Sequence, residues 1–92
     1  MKKTIIDFNK NVTLLDGSQS EQHLGQIVAN AINSAKEGDA LKLRSWAFDL
    51  YGKKTLELDS SDLEVFKAVI QKSEYLTVIS KGEALQIIAD AK

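Results

Sequence analysis

The 92-residue chain has no cysteine, no proline and a single histidine. Without cysteine, neither a disulfide framework nor a thiolate metal site can form, so the chain does not need oxidation to fold. His23 has no second imidazole with which to share a transition metal, and we predict neither a metal nor a cofactor. Its place in the first turn of a predicted helix favours a solvated or capping role.

A strong charge of one sign and a long hydrophobic run are absent as well. Twelve basic residues stand against 13 acidic ones, for a formal net charge of -1, so no global field draws the chain toward nucleic acid or anionic lipid. No apolar run approaches the roughly 20 residues that a membrane span requires. We therefore expect a soluble, cytoplasmic protein.

Repeats, low-complexity tracts and linkers are not visible anywhere along the chain. The length and the 43% hydrophobic content fit one domain with a small core. The sequence therefore predicts a single compact domain over residues 1–92.

The beginning of the chain is β-prone. Residues 4–8 and 12–15 flank the turn-forming Asn9-Lys10-Asn11, which favours an N-terminal β-hairpin. Their poor alternation is equally compatible with two separate short strands. The alternating segment at residues 55–58, TLEL, could add a third strand.

The first predicted helix carries the most regular helical spacing in the chain. Ser18 with Glu21 has the form of a capping box, so this helix should begin near them. Gly38 should end it as a C-terminal cap, and Asp39 can cap a second helix almost immediately.

Two more helices follow in the second half of the chain. Ser61 with Glu64 forms another capping box, and a third helix is expected over residues 62–73. Thr77 can cap a fourth, in which Gly82 suggests the close approach of a neighbour. The predicted fold class is α+β and mainly helical, with a small N-terminal β-hairpin or three short strands packed with about four helices.

The second predicted helix, over residues 39–51, is too apolar for an ordinary surface helix. Its apolar positions cover an arc of roughly 220°, whereas a helix with one buried face needs only a little over 100°. Either neighbouring elements wrap this helix, or part of it is a binding surface. Arg44 lies inside the arc, so it should meet a carboxylate or lie at an exposed rim. Trp46 fits the core better than a binding hot spot.

The fourth predicted helix adds a second, weaker apolar surface, because Ile79 and Ile87 project away from its main apolar stripe. Candidate protein-binding residues come from the wide arc and from this second surface: Leu41, Arg44, Phe48, Tyr51, Ile79 and Ile87.

Motifs for metal and phosphate chemistry are incomplete. A calcium loop starting at Asp49 would place Lys54 sixth and Ser60 twelfth, where a glycine and a bidentate acid are needed. The Gly-Lys pair after the second helix lacks the upstream glycine of a phosphate-binding loop, since Ala47 occupies that place. Because neither a metal set nor a nucleophile with its base can be named, we predict that the protein is not an enzyme.

An alternative hypothesis is a small nucleic-acid-binding regulator. Gln26 and Asn30 lie on the polar, amide-rich side of the first helix and could read adenine edges, and Lys53 and Lys54 form a small basic corner. No Lys or Arg lies within residues 21–33 to hold phosphates. The two lysines also suit the protection of an exposed strand edge.

Six strings span most of the chain: DFNK, LLDGS, IVANAI, GDALKLRSWAFDLYGK, LELDSSD and LTVISKGEALQ. Their combination resembles small proteins of uncharacterised role from phages and prophages, especially those of gut bacteria. The resemblance implies a phage-encoded accessory protein that works in the bacterial host cell by contact with viral or host proteins. It transfers no catalytic residue. We expect a non-enzymatic binding or assembly module that self-associates or docks a protein partner.

Overall fold

The structure is a computed structural model that describes residues 3–91. Within them the fold is mainly helical α+β, as the sequence predicts, and none of the helices is long and apolar enough to cross a membrane. The elements in chain order are β1 (Thr4–Ile6), β2 (Asn11–Thr13), β3 (Gln19–His23), α1 (Leu24–Asn33), α2 (Ala40–Tyr51), β4 (Leu56–Leu58), α3 (Ser60–Lys72) and α4 (Val78–Asp90).

The first sheet joins two strands that lie far apart in the sequence. β1 pairs antiparallel with β4, and Ile6 lies opposite Leu56. Leu56 and Leu58 are both buried, because side chains two apart in a strand share one face. The expected pairing of residues 4–8 with residues 12–15 is not formed. Segment 12–15 lacks the alternation that would bury one face, whereas the possible third strand has it.

The hairpin of this fold lies later in the chain than predicted. β2 pairs antiparallel with β3 across a turn in which Gly17 has φ +86°, a conformation that glycine adopts without strain. The hydroxyl of Ser18, expected to cap a helix, instead donates to the Asp16 carboxylate at 2.6 Å. Residues 19–23 are therefore strand, and α1 begins only at Leu24.

A short connection joins α1 to α2. α1 ends at Asn33 rather than at Gly38, since the Ser34 hydroxyl donates back to a carbonyl of the last turn at 3.0 Å. Gly38 lies in the connection with φ +107° and turns the chain into the next helix. The predicted cap of α2 is confirmed, because the Asp39 carboxylate accepts two backbone N–H groups of the first turn at 3.1 and 3.2 Å.

The cap predicted for α3 is wrong, and the cap predicted for α4 is confirmed. Asp59, not Ser61, caps α3 by accepting a backbone N–H at 2.7 Å, because a carboxylate is favoured at the positive end of a helix. Thr77 caps α4 as predicted, at 3.2 Å. The neighbour expected near Gly82 is absent, since nothing among the described residues lies within 4 Å of where its Cβ would be.

Three aromatic rings mark the centre of the core. Phe66 of α3 is fully buried and stacks on Phe8 with ring centroids 6.0 Å apart. Trp46 of α2 meets the same ring edge-on at 5.6 Å, an arrangement that suits the charge distribution of aromatic rings. The predicted core role of Trp46 is therefore confirmed.

A polar contact ties β2 to α4. The Glu83 carboxylate accepts the backbone N–H of Thr13 at 2.8 Å and its hydroxyl at 3.0 Å, and it forms an ion pair with Lys10. Burial raises the pKa of Glu83, but the hydrogen bonds from Lys10 and Thr13 outweigh it and hold the pKa below its ordinary value.

Candidate protein-contact surface

Helix α2 buries one side and leaves the other uncovered. Leu43, Trp46 and Leu50 point into the core. On the opposite side, the exposed fractions are 81% for Leu41, 63% for Phe48 and 55% for Tyr51. The wide apolar arc of α2 had two explanations, cover by neighbouring elements or a binding surface. Neighbouring elements do not cover these three positions.

Arg44 lies on the same exposed side, at the rim position expected for it. Its guanidinium carbon is 4.7 Å from the centroid of the Phe48 ring, close enough for a cation–π interaction. Within residues 3–91, no carboxylate oxygen lies within 4.0 Å of its side-chain nitrogens. We refer to Leu41, Arg44, Phe48 and Tyr51 together as the α2 face.

A cleft of about 690 Å³ runs between α1 and α2, beside the α2 face. Small side chains of both helices, Ala29 and Ala47, line it together with Phe48 and Tyr51. The Gln26 amide donates to the Tyr51 carbonyl at 3.2 Å and ties the end of α2 to α1. Apolar side chains of a partner could enter this cleft next to the exposed rings.

A second cleft of about 760 Å³ lies on the other side of the α1–α2 connection, toward the end of α3. Residues 35–38 line both clefts. The second cleft also has the exposed side chains of Val65 and Tyr75 in its walls. Neither residue is a site residue predicted from sequence, because the cleft exists only where α1 and α3 meet.

The isoleucines of α4 do not form the open surface expected of them. Ile79 and Ile87 are partly buried and pack against the core. The exposed large apolar residue of this helix is Val78, at 87%, which lies at the first position of α4. The structure therefore corrects the expected placement, and the α2 face stands apart from α4.

The candidate nucleic-acid-binding residues lie around the end of α2. Lys53 and Lys54 are exposed, as is Asn30. Lys53 has φ 65°, so the chain turns sharply there before β4. Gln26 is half-buried and its amide nitrogen already donates to the Tyr51 carbonyl. A base edge would have to compete with that contact.

His23 caps α1, as one of its two predicted roles requires. Its Nδ1 accepts the backbone N–H of Gln26 at 3.2 Å. Burial, and then the positive charge of Lys53, lower the pKa of His23, which favours the neutral imidazole that can accept this hydrogen bond. Among residues 3–91, no group of three or more His, Asp or Glu side chains could hold a metal ion.

No family model, curated protein or solved structure matches the chain. The chemistry of the α2 face itself is therefore the guide to function. Large exposed apolar side chains gathered on one helix are typical of contact surfaces. Aromatic residues and arginine are also the types enriched where binding energy concentrates.

Proposed function

We propose that the protein is a non-enzymatic module that binds a protein through the α2 face. The observation that carries the proposal is the exposure of Leu41, Phe48 and Tyr51 on one side of a well-anchored helix. A single exposed leucine needs no explanation, but three large side chains within 11 positions of one face are unusual. Arg44 supplies a charged group on the same face.

The size of the α2 face supports this proposal energetically. At about 200 Å² for a large side chain, the three apolar residues expose roughly 400 Å². Covering that area would release on the order of 10 kcal/mol, before the cost of association is subtracted. What remains after that cost is compatible with a modest but specific affinity.

We also propose that the protein is a phage-encoded accessory protein acting in the bacterial host cell. The support is the sequence resemblance described above, and the string GDALKLRSWAFDLYGK contains the whole α2 face. One of the six strings that carry the resemblance thus contains the exposed surface. A partner from the virus or from its host would fit the resemblance.

A nucleic-acid-binding regulator is the weaker candidate. Lys53 and Lys54 give only two adjacent positive charges, and the amide of Gln26 is engaged within the fold. Binding through phosphates would make affinity fall steeply with salt. Absence of any shift with DNA or RNA in a low-salt gel assay would remove this candidate.

The proposal is tested by placing one charge on the α2 face. The variant Phe48→Glu should lose a protein partner that the unchanged chain captures from prophage-carrying cells. After that partner has been identified and purified, its affinity should drop by at least about 10-fold, as expected for a hot-spot residue. Titration calorimetry with the purified pair measures this change.

The matched control is Val78→Glu, which places the same charge on a more exposed apolar residue outside the α2 face. Both variants should keep the melting temperature of the unchanged chain within a few degrees, because both sites are at the surface. If Phe48→Glu binds the partner as tightly as Val78→Glu, the α2 face is not the docking surface.

A further inference from the structure

The α2 face has a spacing that is complementary to itself. Its residues recur at intervals of three, four and three positions, which is the spacing of a heptad seam. We infer that the α2 face binds a second copy of this chain, through an antiparallel, two-fold contact between two α2 helices. This inference rests on the proposed function, since it uses the same face. It identifies the protein partner as a second copy of the chain.

A two-fold axis places the residues of the α2 face opposite one another in pairs. With the axis level with position 46, Leu41 of one copy lies opposite Tyr51 of the other, and Arg44 lies opposite Phe48. In a two-fold contact the same patch must serve both partners, and here every seam position meets another seam position. The antiparallel direction also sets the positive end of each helix beside the negative end of its mate.

The positions that flank the seam favour a second copy over a different chain. They are small and uncharged: Ala40, Ser45, Ala47 and Gly52. Small flanks let two helices approach closely, and the cleft between α1 and α2 leaves room on the side of Ala47. Helices that select a different partner usually do so with charged flanking residues, which are missing here.

The area of the α2 face determines the expected affinity of the dimer. Two copies would cover roughly 800 Å² from the three apolar side chains alone. Arg44 and the small flanks bring the total toward the roughly 1,200 Å² at which specific interfaces begin. A dimer of this size should be weak, with a dissociation constant on the order of 10–100 μM.

Arg44 gives the self-contact a distinctive response to salt. In the symmetric pair, two guanidinium groups approach the axis with like charge, and neither has a carboxylate within 4.0 Å in the described part of its chain. Added salt screens this repulsion, so dimerisation should strengthen with ionic strength. A partner that offered a carboxylate to Arg44 would instead bind more weakly in salt.

Sedimentation velocity of the full chain tests the inference over roughly 10 μM to 1 mM, a range that brackets a weak interface. We expect a concentration-dependent equilibrium between monomer and dimer. Phe48→Glu should abolish the dimer, and Val78→Glu should leave it unchanged. Arg44→Leu removes the like charge and should tighten the dimer by at least about 5-fold.

The chain has no cysteine, so introduced thiols can report orientation. An equal mixture of Leu41→Cys and Tyr51→Cys chains should form disulfide-linked heterodimer in clear excess over the two-to-one ratio to each homodimer that random pairing gives. Preferential linkage of like positions would overturn the antiparallel arrangement. Circular dichroism melts check that each variant folds.

A monomer at every concentration, or a Phe48→Glu variant that still dimerises, overturns the inference. Weakening of the dimer by Arg44→Leu or by salt also overturns this two-fold arrangement, because Arg44 would then meet an attractive group rather than its like-charged mate. Failure of the dimer leaves the proposed function standing if Phe48→Glu still loses a purified protein partner. The two ideas can therefore fail separately.

Discussion

Glu83 shows how one carboxylate can join two elements of this fold. It accepts hydrogen bonds from the backbone N–H and the hydroxyl of Thr13 and forms an ion pair with Lys10. Its side chain is only 14% exposed. Replacing it by Gln keeps the shape but removes the charge that strengthens these hydrogen bonds. We expect Glu83→Gln to lower the free energy of unfolding near neutral pH by about 1–2 kcal/mol, measured by urea denaturation.

The same residue gives stability a predictable pH dependence. Because the folded-state pKa of Glu83 lies below its ordinary value, its contribution is complete above that value and is lost as pH falls through the folded-state pKa. Glu83→Gln should lack this part of the acid destabilisation. Glu64→Gln is the control, since Glu64 is 72% exposed in a surface pair with Lys67 and should change stability by less than about 0.5 kcal/mol. Equal effects of the two variants would contradict the role given to Glu83.

At the level of single elements, alanine substitution of the glycines in α4 and α1 should have opposite effects on stability. Gly82→Ala should stabilise the protein by about 0.5–1 kcal/mol, because the site is helical and open. At Gly25 of α1, a Cβ would lie 2.9 Å from the His23 ring and 3.2 Å from the Leu50 carbonyl, so Gly25→Ala should destabilise. Thermal unfolding of both variants measures the difference, and a loss of stability in Gly82→Ala would refute the account of α4.

The elements also show what local sequence signals can predict. Asp39 and Thr77 act as the expected caps, since the side-chain oxygen of each accepts a backbone N–H of the first turn. Ser18 and Ser61 fit the capping-box motif but do not cap, since acidic neighbours decide the outcome. Asp16 binds the hydroxyl of Ser18 within a turn, and the Asp59 carboxylate caps α3 two residues earlier than expected. A capping motif identifies a helix start only when its competitors are known.

The excess apolar surface of α2 could be predicted from sequence because it is a property of one helix, whereas the fold decides that Leu41, Phe48 and Tyr51 are left exposed. The placement of Ile79 and Ile87 could not, because it depends on which side of α4 meets the rest of the core. Both residues pack against the core, and Val78 is exposed instead. Helical spacing gives the relative positions of side chains but does not give the direction of a helix within the fold.

At the scale of the whole molecule, Phe66 connects the core contributions of α2, α3 and the segment after β1. It touches the rings of Phe8 and Trp46 and is fully buried. Phe66→Ala should cost about 3–5 kcal/mol, a large share of the stability of a typical domain. The exposed Phe48→Ala, as control, should cost less than about 1 kcal/mol. A cooperative thermal transition at an unchanged temperature in Phe66→Ala would contradict this description of the core.

The pairing of β1 with β4 is the part of the architecture that the sequence left open. Both the adjacent segment and the distant one were compatible with β1, and local propensity does not rank them. What separates them is burial on a shared face, which brings Ile6 together with Leu56 and Leu58. The alternation of residues 55–58 marks a strand with one buried face, but the strand with which it pairs is decided in the assembled core.

The pairing of β1 with β4 also determines when folding can be completed during synthesis on the ribosome. β1 emerges from the exit tunnel well before its partner β4, which is made only after the β2–β3 hairpin, α1 and α2. Until then Ile6 has no strand to lie against, and closing so long a loop is entropically costly. A nascent chain stalled before β4 should therefore remain a good substrate for chaperones and proteases.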